Sequence, residues 1–371
     1  MSLDLMRGWF LVVIILDHLT YFPNGFTFMT GDSRLLITAA EGFFIISGLV
    51  LGLVRGAKLR DKPLLSAAKL MWKRAGALYV TSIVATMLAL LISWQCAGNP
   101  GVKTPLPDVH TDLLTLGWQI ITLQQFYGWA DYLRLYALFL TVAPVALWLL
   151  RRGWWYGVLA ISGVVWAIAP RPVSELNQPL TWQLLFFMAF VLGYYLPEVI
   201  QTWRARPIQW RHWVKRSIVG LFAVTLALNA YAVFIAPGLS GDFNHVVVAV
   251  YTEIAKQFSK LDLPLGRIAL AWLWFAGFFI LFRRYEDRIM RWCGWLLLTF
   301  GQNSLYVYTL HAFVVLGLHL VVAPDYYTTE AYITSFDRLS EIPGNAALSI
   351  GAVLVIYCAV KRKFLMKIIP R

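Results

Sequence analysis

Apolar stretches of about 20 residues, separated by polar, Pro or Gly breaks, recur along this chain. Ten can be marked, at about 4–22, 35–54, 75–94, 133–150, 154–169, 182–200, 217–236, 266–283, 295–320 and 345–360. A helix rises about 1.5 Å per residue, so a run of this length crosses a hydrocarbon core of about 30 Å. The pattern therefore predicts an all-α, polytopic integral membrane protein with about ten transmembrane helices. The fifth run is short and is expected to tilt or to begin within the headgroups. The ninth is long and is interrupted by Gly301-Gln302-Asn303-Ser304, which marks it as one element or two.

Composition agrees with this pattern. Of the 371 residues, 59% are hydrophobic and 14% charged, where a soluble domain carries about 25% charged. Mean hydropathy is +0.65. A soluble globule cannot hide that much apolar surface. A disordered chain, a secreted disulfide scaffold and an ordinary cytosolic enzyme are all excluded. The formal charge of +13 raises nucleic acid as a partner, but the charges are scattered between apolar runs, as in the loops of a membrane protein. Cys96, Cys293 and Cys358 are far apart and read as structural thiols, so no metal is expected.

Lys and Arg set the orientation. With the N-terminus inside and the runs alternating, 24 of these residues fall on the cytoplasmic side and 8 on the other. Both termini are therefore expected in the cytoplasm, with the protein in the inner membrane. The first run lacks a small-residue cleavage site and contains Asp17-His18, so it reads as a true span and not a signal peptide. No repeat or low-complexity segment breaks the chain, which reads as one membrane domain over 1–371. Three outer segments exceed simple turns: 95–132, 237–265 with an amphipathic helix expected near 246–260, and 321–344 with Tyr326-Tyr327.

Ionisable groups inside a span are costly, which makes each a candidate for function. The first span holds Asp17 and His18, the second Glu41, and the ninth His311, with His319 near its outer end. His18 lies about 16 Å of helix rise beyond Arg7. Glu41 lies about 10 Å below the outer end of its run, which starts near Arg34. The two should share a depth on neighbouring helices, and a His–carboxylate pair is expected there, with Asp17 as the other possible partner. A packing role is the competing reading for a lone intramembrane His, and His311 has no evident acidic partner. Gln302, Asn303 and Ser304 read equally as hydrogen-bond glue between helices, and Gly48 and Gly52 as close-packing positions.

Arg55, Lys58, Arg60 and Lys62 lead to Lys73-Arg74 at the mouth of the third span. Topology and anionic-lipid contact explain such a cluster, and so does binding of a polyanion such as the phosphates of coenzyme A. The absence of a Gly-rich phosphate loop, HExxH and GxSxG removes NTPase, zinc protease and serine hydrolase readings.

Four motifs in order resemble a known family. Leu3-Asp4-Leu5-Met6-Arg7-Gly8 followed by His18 resembles the Arg-x10-His signature of membrane acyltransferases of type 3. The stretch from Ala39 to Gly48, with Glu41 and Ser47, is similar to the second-helix motif of the glucan-succinyltransferase branch, the OpgC family. Asn177 to Phe187 resembles that branch's Asn-Pro-x-x-Trp-Gln-x-x-Phe stretch, with Gln178 as a departure, and Phe300 to Tyr308 with His311 resembles its late-helix motif.

The resemblance implies transfer of an acyl group, succinyl or acetyl, from cytoplasmic acyl-CoA to a hydroxyl of a glycan or glycolipid outside. It places the catalytic base on His18 and the signature arginine on Arg7. From polarity and depth, Glu41 or Asp17 is expected to support His18. Arg7, Lys73 and Arg74 are expected to hold the donor's phosphates. Ser47, Gln183, Asn303 and Ser304 are expected near the donor, the last three polarising the thioester carbonyl. The alternatives from residues alone are a proton-coupled transporter or lipid-linked-glycan flippase, whose His and acids form a relay, and a noncatalytic membrane scaffold.

Overall fold

The structure, a computed structural model, describes residues 1–102, 112–324 and 336–369. Residues 103–111, with Pro105 and Pro107, and 325–335, with Tyr326-Tyr327, lie outside the described residues, so parts of two expected outer segments do too. Among the described residues the chain is helical with no strand. The helices are α1 (Ser2–Leu19), α2 (Thr27–Thr30), α3 (Ala39–Leu51), α4 (Leu64–Gln95), α5 (Leu113–Ile121), α6 (Asp131–Arg151), α7 (Trp155–Ala167) and α8 (Gln178–Tyr194). They continue as α9 (Leu196–Ala205), α10 (Ile208–Ala230), α11 (Asp242–Gln257), α12 (Leu265–Arg284), α13 (Glu286–Gln302), α14 (Ser304–Val321) and α15 (Ile342–Lys361).

Each expected run falls on a helix, but the count of ten is not reached by length and composition. Seven helices among the described residues are long and apolar enough to cross a membrane, and eight if the pair Glu175–Tyr194 and Leu196–Ala205, bent by 64°, is taken as one span. This is the architecture of a multi-pass membrane protein. Helix α1 carries Asp4, Arg7 and Asp17, and α7 has only 13 residues, so neither meets the criterion. The ninth run divides at Asn303 into α13 and α14. The expected amphipathic helix is α11, which begins a few residues earlier than expected and buries none of its residues.

Helix α1 is apolar on nearly every face, and a helix of that kind belongs in the interior. It packs against α3, α12, α13, α14 and α15. Around it α3 pairs with α8, α4 with α6, and α10 with α12. Small residues bring one of these pairs into backbone contact. A Cβ on Gly52 would lie 2.2 Å from the Phe190 carbonyl oxygen, and one on Gly193 would lie 2.1 Å from that of Leu49, so α3 and α8 touch main chain to main chain. Lipid tails are as apolar as Leu, so close van der Waals contact of this kind is what holds membrane helices together.

The start of α3 is fixed by Thr38 and Glu41, whose side chains cap the first turn reciprocally. Its end winds into a π-helical turn over Gly52–Gly56. Such turns re-aim side chains within a continuous helix. This one carries Val54 and Arg55 onto a cavity wall.

Candidate active site

Two cavities lie on either side of Phe43. The first, of about 270 Å³, is basic: Arg7 from α1, Arg55 from the π turn and Arg74 from α4 line it with Ser47, Gln302 and Ser304. Arg7 is held there by Asp4, 3.7 Å away, and by the Gly301 carbonyl at 3.4 Å. The second, of about 110 Å³, is lined by His18, Asp131, Tyr132, Tyr308, Trp182 and Lys260.

Phe43 lines both. Its ring packs edge-on against Tyr132 with centroids 4.7 Å apart, and it stacks on Tyr308 at 6.2 Å. The hydroxyl of Tyr132, a residue of the second cavity, donates to Oγ of Ser47 in the first at 2.5 Å. The cavities thus share the Phe43 ring as a wall, and a hydrogen bond joins a residue of one to a residue of the other.

On the far side of that wall His18 meets His311, not a carboxylate. Nδ1 of His18 and Nε2 of His311 are 2.9 Å apart. Nδ1 of His311 also contacts the Tyr308 carbonyl oxygen. A carbonyl only accepts, so Nδ1 of His311 carries the hydrogen. In the neutral ring its Nε2 is then an acceptor. His18 must therefore donate from Nδ1, and its own Nε2 keeps a lone pair. Trp129 packs on the same ring with centroids 4.5 Å apart and holds its plane. The sequence motifs included His311, but no pattern of spacing tied it to His18, because the two are 293 residues apart.

Glu41 corrects the expected dyad. It is fully buried, but its Oε1 takes the Nε and Nη2 of Arg267 at 2.6 and 2.5 Å, while Oε2 accepts from the backbone and hydroxyl of Thr38. Depth along a helix does not say which face a side chain occupies, and the Glu41 carboxylate turns to Arg267. Arg267 in turn donates to the Phe258 carbonyl. That bond is one of four straps on the segment 258–263. Trp182 Nε1 donates to the Lys260 carbonyl, Thr181 to that of Leu261, and Trp166 Nε1 to that of Leu263. Glu41 is thus part of the frame that holds one wall of the His18 cavity.

The other expected residues divide. Asp17 points away from His18, with Oδ2 accepting from Ser33 Oγ at 2.9 Å and Oδ1 buried without a hydrogen-bond partner. Lys73 is exposed off the basic cavity, although Arg74 lines it, because neighbours on a helix do not share a face. Gln183 donates to the carbonyls of Ser162 and Leu180 and faces a groove between α6, α7 and α8 instead of either cavity above. Asn303 sits at the joint of α13 and α14 and donates to the Thr299 carbonyl, so it is structural glue. Ser47, Ser304 and Arg7 line the basic cavity. Tyr132 and Lys260 were not singled out from sequence. A tyrosine among 17, and a lysine beyond the end of an outer helix, carry no pattern that marks them.

Neither curated proteins nor solved structures give a match to this chain. A family model described as OpgC protein matches residues 1–332, which includes both cavities and all four sequence motifs. The chain belongs to the OpgC protein family.

Proposed function

We propose that this protein is an inner-membrane O-acyltransferase, with both termini cytoplasmic, that moves a succinyl or acetyl group from cytoplasmic acyl-CoA to a hydroxyl of an extracytoplasmic glycan or glycolipid. Membership of the OpgC family supports an acyltransferase-like role in glucan modification. The observation that carries the reading is the pair of cavities meeting at Phe43, basic on one side and bearing a histidine base on the other.

In this reading the arginines of the first cavity attract the donor's phosphates, and the thioester arm reaches the Phe43 wall. Three guanidinium groups suit phosphate oxygens because they offer paired, charge-assisted donors. The acceptor hydroxyl enters the second cavity. Nε2 of His18 takes its proton as the oxygen adds to the thioester carbonyl. The tetrahedral intermediate collapses, the C–S bond breaks, and the thiolate of coenzyme A leaves and takes up a proton. Ser47, whose Oγ accepts from Tyr132, keeps its own hydroxyl hydrogen to donate to the developing oxyanion. His311 holds His18 in the productive tautomer.

The test is to incubate the purified protein with succinyl-CoA or acetyl-CoA and a glucan acceptor, and to measure free thiol release and acceptor mass together. Acyl ester formation matched by thiol release, lost in His18→Ala, is the expected result. Absence of thiol release with both donors, or full turnover by His18→Ala, overturns it.

A further inference from the structure

We infer that Lys260 is the specificity residue of the second cavity, and that it reads a carboxylate at the free end of the acyl group. The inference rests on the acyl-transfer reading above and deepens it. Three residues of this cavity, Asp131, His18 and Lys260, carry or exchange charge. Asp131 is matched by Arg134, whose Nε and Nη2 lie 2.9 and 2.8 Å from its Oδ1. Arg134 is itself consumed, buried beneath Phe126 at 3.7 Å and donating to the Glu175 carbonyl. His18 is engaged with His311. That leaves Lys260, which forms no ion pair among the described residues. Lys260 is an exposed residue that lines this cavity together with His18 and Asp131.

The lysine is also held as a recognition group should be. Its backbone carbonyl accepts from Trp182 Nε1 at 3.1 Å and that of its neighbour Leu261 from Thr181 at 2.7 Å. Glu41, through Arg267, anchors the same segment at Phe258. An uncommitted cation beside a nucleophilic site is of no use to an acetyl group, which ends in a methyl. A dicarboxylic acyl group brings an anion into a cavity walled by aromatic rings, and burying that anion unpaired is costly. Lys260 supplies the counter-charge.

The experiment compares kcat/KM for succinyl-CoA and acetyl-CoA in the wild-type protein, Lys260→Gln, Lys260→Glu and Lys260→Arg. The ratio of succinyl to acetyl transfer should fall roughly 10–100-fold in Lys260→Gln, the range of a charge-assisted hydrogen bond, further in Lys260→Glu, and recover in Lys260→Arg. Damage to the fold lowers both donors alike and leaves the ratio unchanged, and that result overturns the assignment. A second arm uses neutral and anionic glucan acceptors. Loss confined to the anionic acceptor, equal for both donors, makes Lys260 a reader of the acceptor and also overturns it. If wild-type protein transfers neither acyl group, the acyl-transfer reading itself has failed, a result distinct from either.

Discussion

Nδ1 of His18 lies 2.9 Å from Nε2 of His311, and the hydrogen on the other nitrogen of His311 is committed to the Tyr308 carbonyl. Four atoms in a row, from the Tyr308 carbonyl oxygen through both nitrogens of His311 to Nδ1 of His18, therefore decide which nitrogen of His18 is basic. The orienting group of a catalytic histidine is often a carboxylate, but a second imidazole with a fixed tautomer serves the same purpose. It does so without placing a charge in the membrane.

Removing the base, in His18→Ala, should cost about 10²–10⁴ in kcat. His311→Ala should also lower kcat, by at least about tenfold, with little change in donor affinity, because His18 is then free to adopt the wrong tautomer. The double variant should be little slower than His18→Ala alone, since the two act as a unit. Single-turnover rates of thiol release check all three. Multiplicative losses in the double variant would separate the two residues.

Glu41→Gln should act on stability before chemistry. The pair with Arg267 is nearly inaccessible, with side chains 0% and 5% exposed, and losing one partner of such a pair strands the other. A loss of about 3–5 kcal/mol is expected, read as a lowered Tm in detergent. Replacing both residues by apolar ones should restore part of that loss. A Glu41→Gln protein of normal Tm with greatly reduced turnover would restore the direct dyad with His18.

Arg7, Arg55 and Arg74 should govern donor affinity, and Lys73 should not. Replacing any of the three by Gln is expected to weaken acyl-CoA binding roughly 10–100-fold, the worth of one charge-assisted contact. Lys73→Gln is expected to bind as wild type, because its side chain is exposed away from the cavity. Isothermal titration with a non-transferable thioether analogue of the donor measures this directly, and the differences should shrink as salt rises. Equal loss at Lys73 would assign the whole cluster to bulk electrostatics.

Asp262 gives the strapped segment a pH dependence. Partial burial raises its carboxyl, but Ser259, the Val173 N–H at 2.9 Å and Arg171 at 3.2 Å outweigh that and hold it below the usual carboxylate range. Its contribution to stability is complete above an ordinary carboxylate pKa of about 4 and disappears as pH falls through the lower folded value. Asp262→Asn should therefore lower Tm at neutral pH, by up to about 1 kcal/mol in stability for so accessible a pair, and the difference should close in acid. A Tm difference that persists unchanged to low pH would show that the carboxylate's charge is not what matters.

The sequence was most legible where a pattern repeats over many residues. Apolar runs marked the helices, and Gly301 to Ser304 marked the joint that appears at Asn303. The span count was less legible, because α1, with Asp4, Arg7 and Asp17, and the 13-residue α7 look like spans by their apolar runs but fall short in composition or length. At the site, Arg7, Ser47, His18 and Ser304 fell on the cavities. Glu41, Gln183 and Asn303 did not, because depth along a helix is readable from residue number while the partner across an interface is not. Arg267 for Glu41, and His311 for His18, come from helices more than 200 residues away. The basic cavity's third arginine, Arg55, depends on a π turn that no local propensity announces.

A membrane that stores energy as a proton gradient tolerates no continuous thread of water through its proteins. Phe43 stands where such a thread would form, between a cavity lined with guanidinium groups and one lined with imidazole and carboxylate. Its ring is shared by the two cavities. The side chain is expected to serve as electrical insulation, and Phe43→Ala should turn the protein into a proton leak, collapsing a pH gradient across sealed proteoliposomes that wild-type protein maintains.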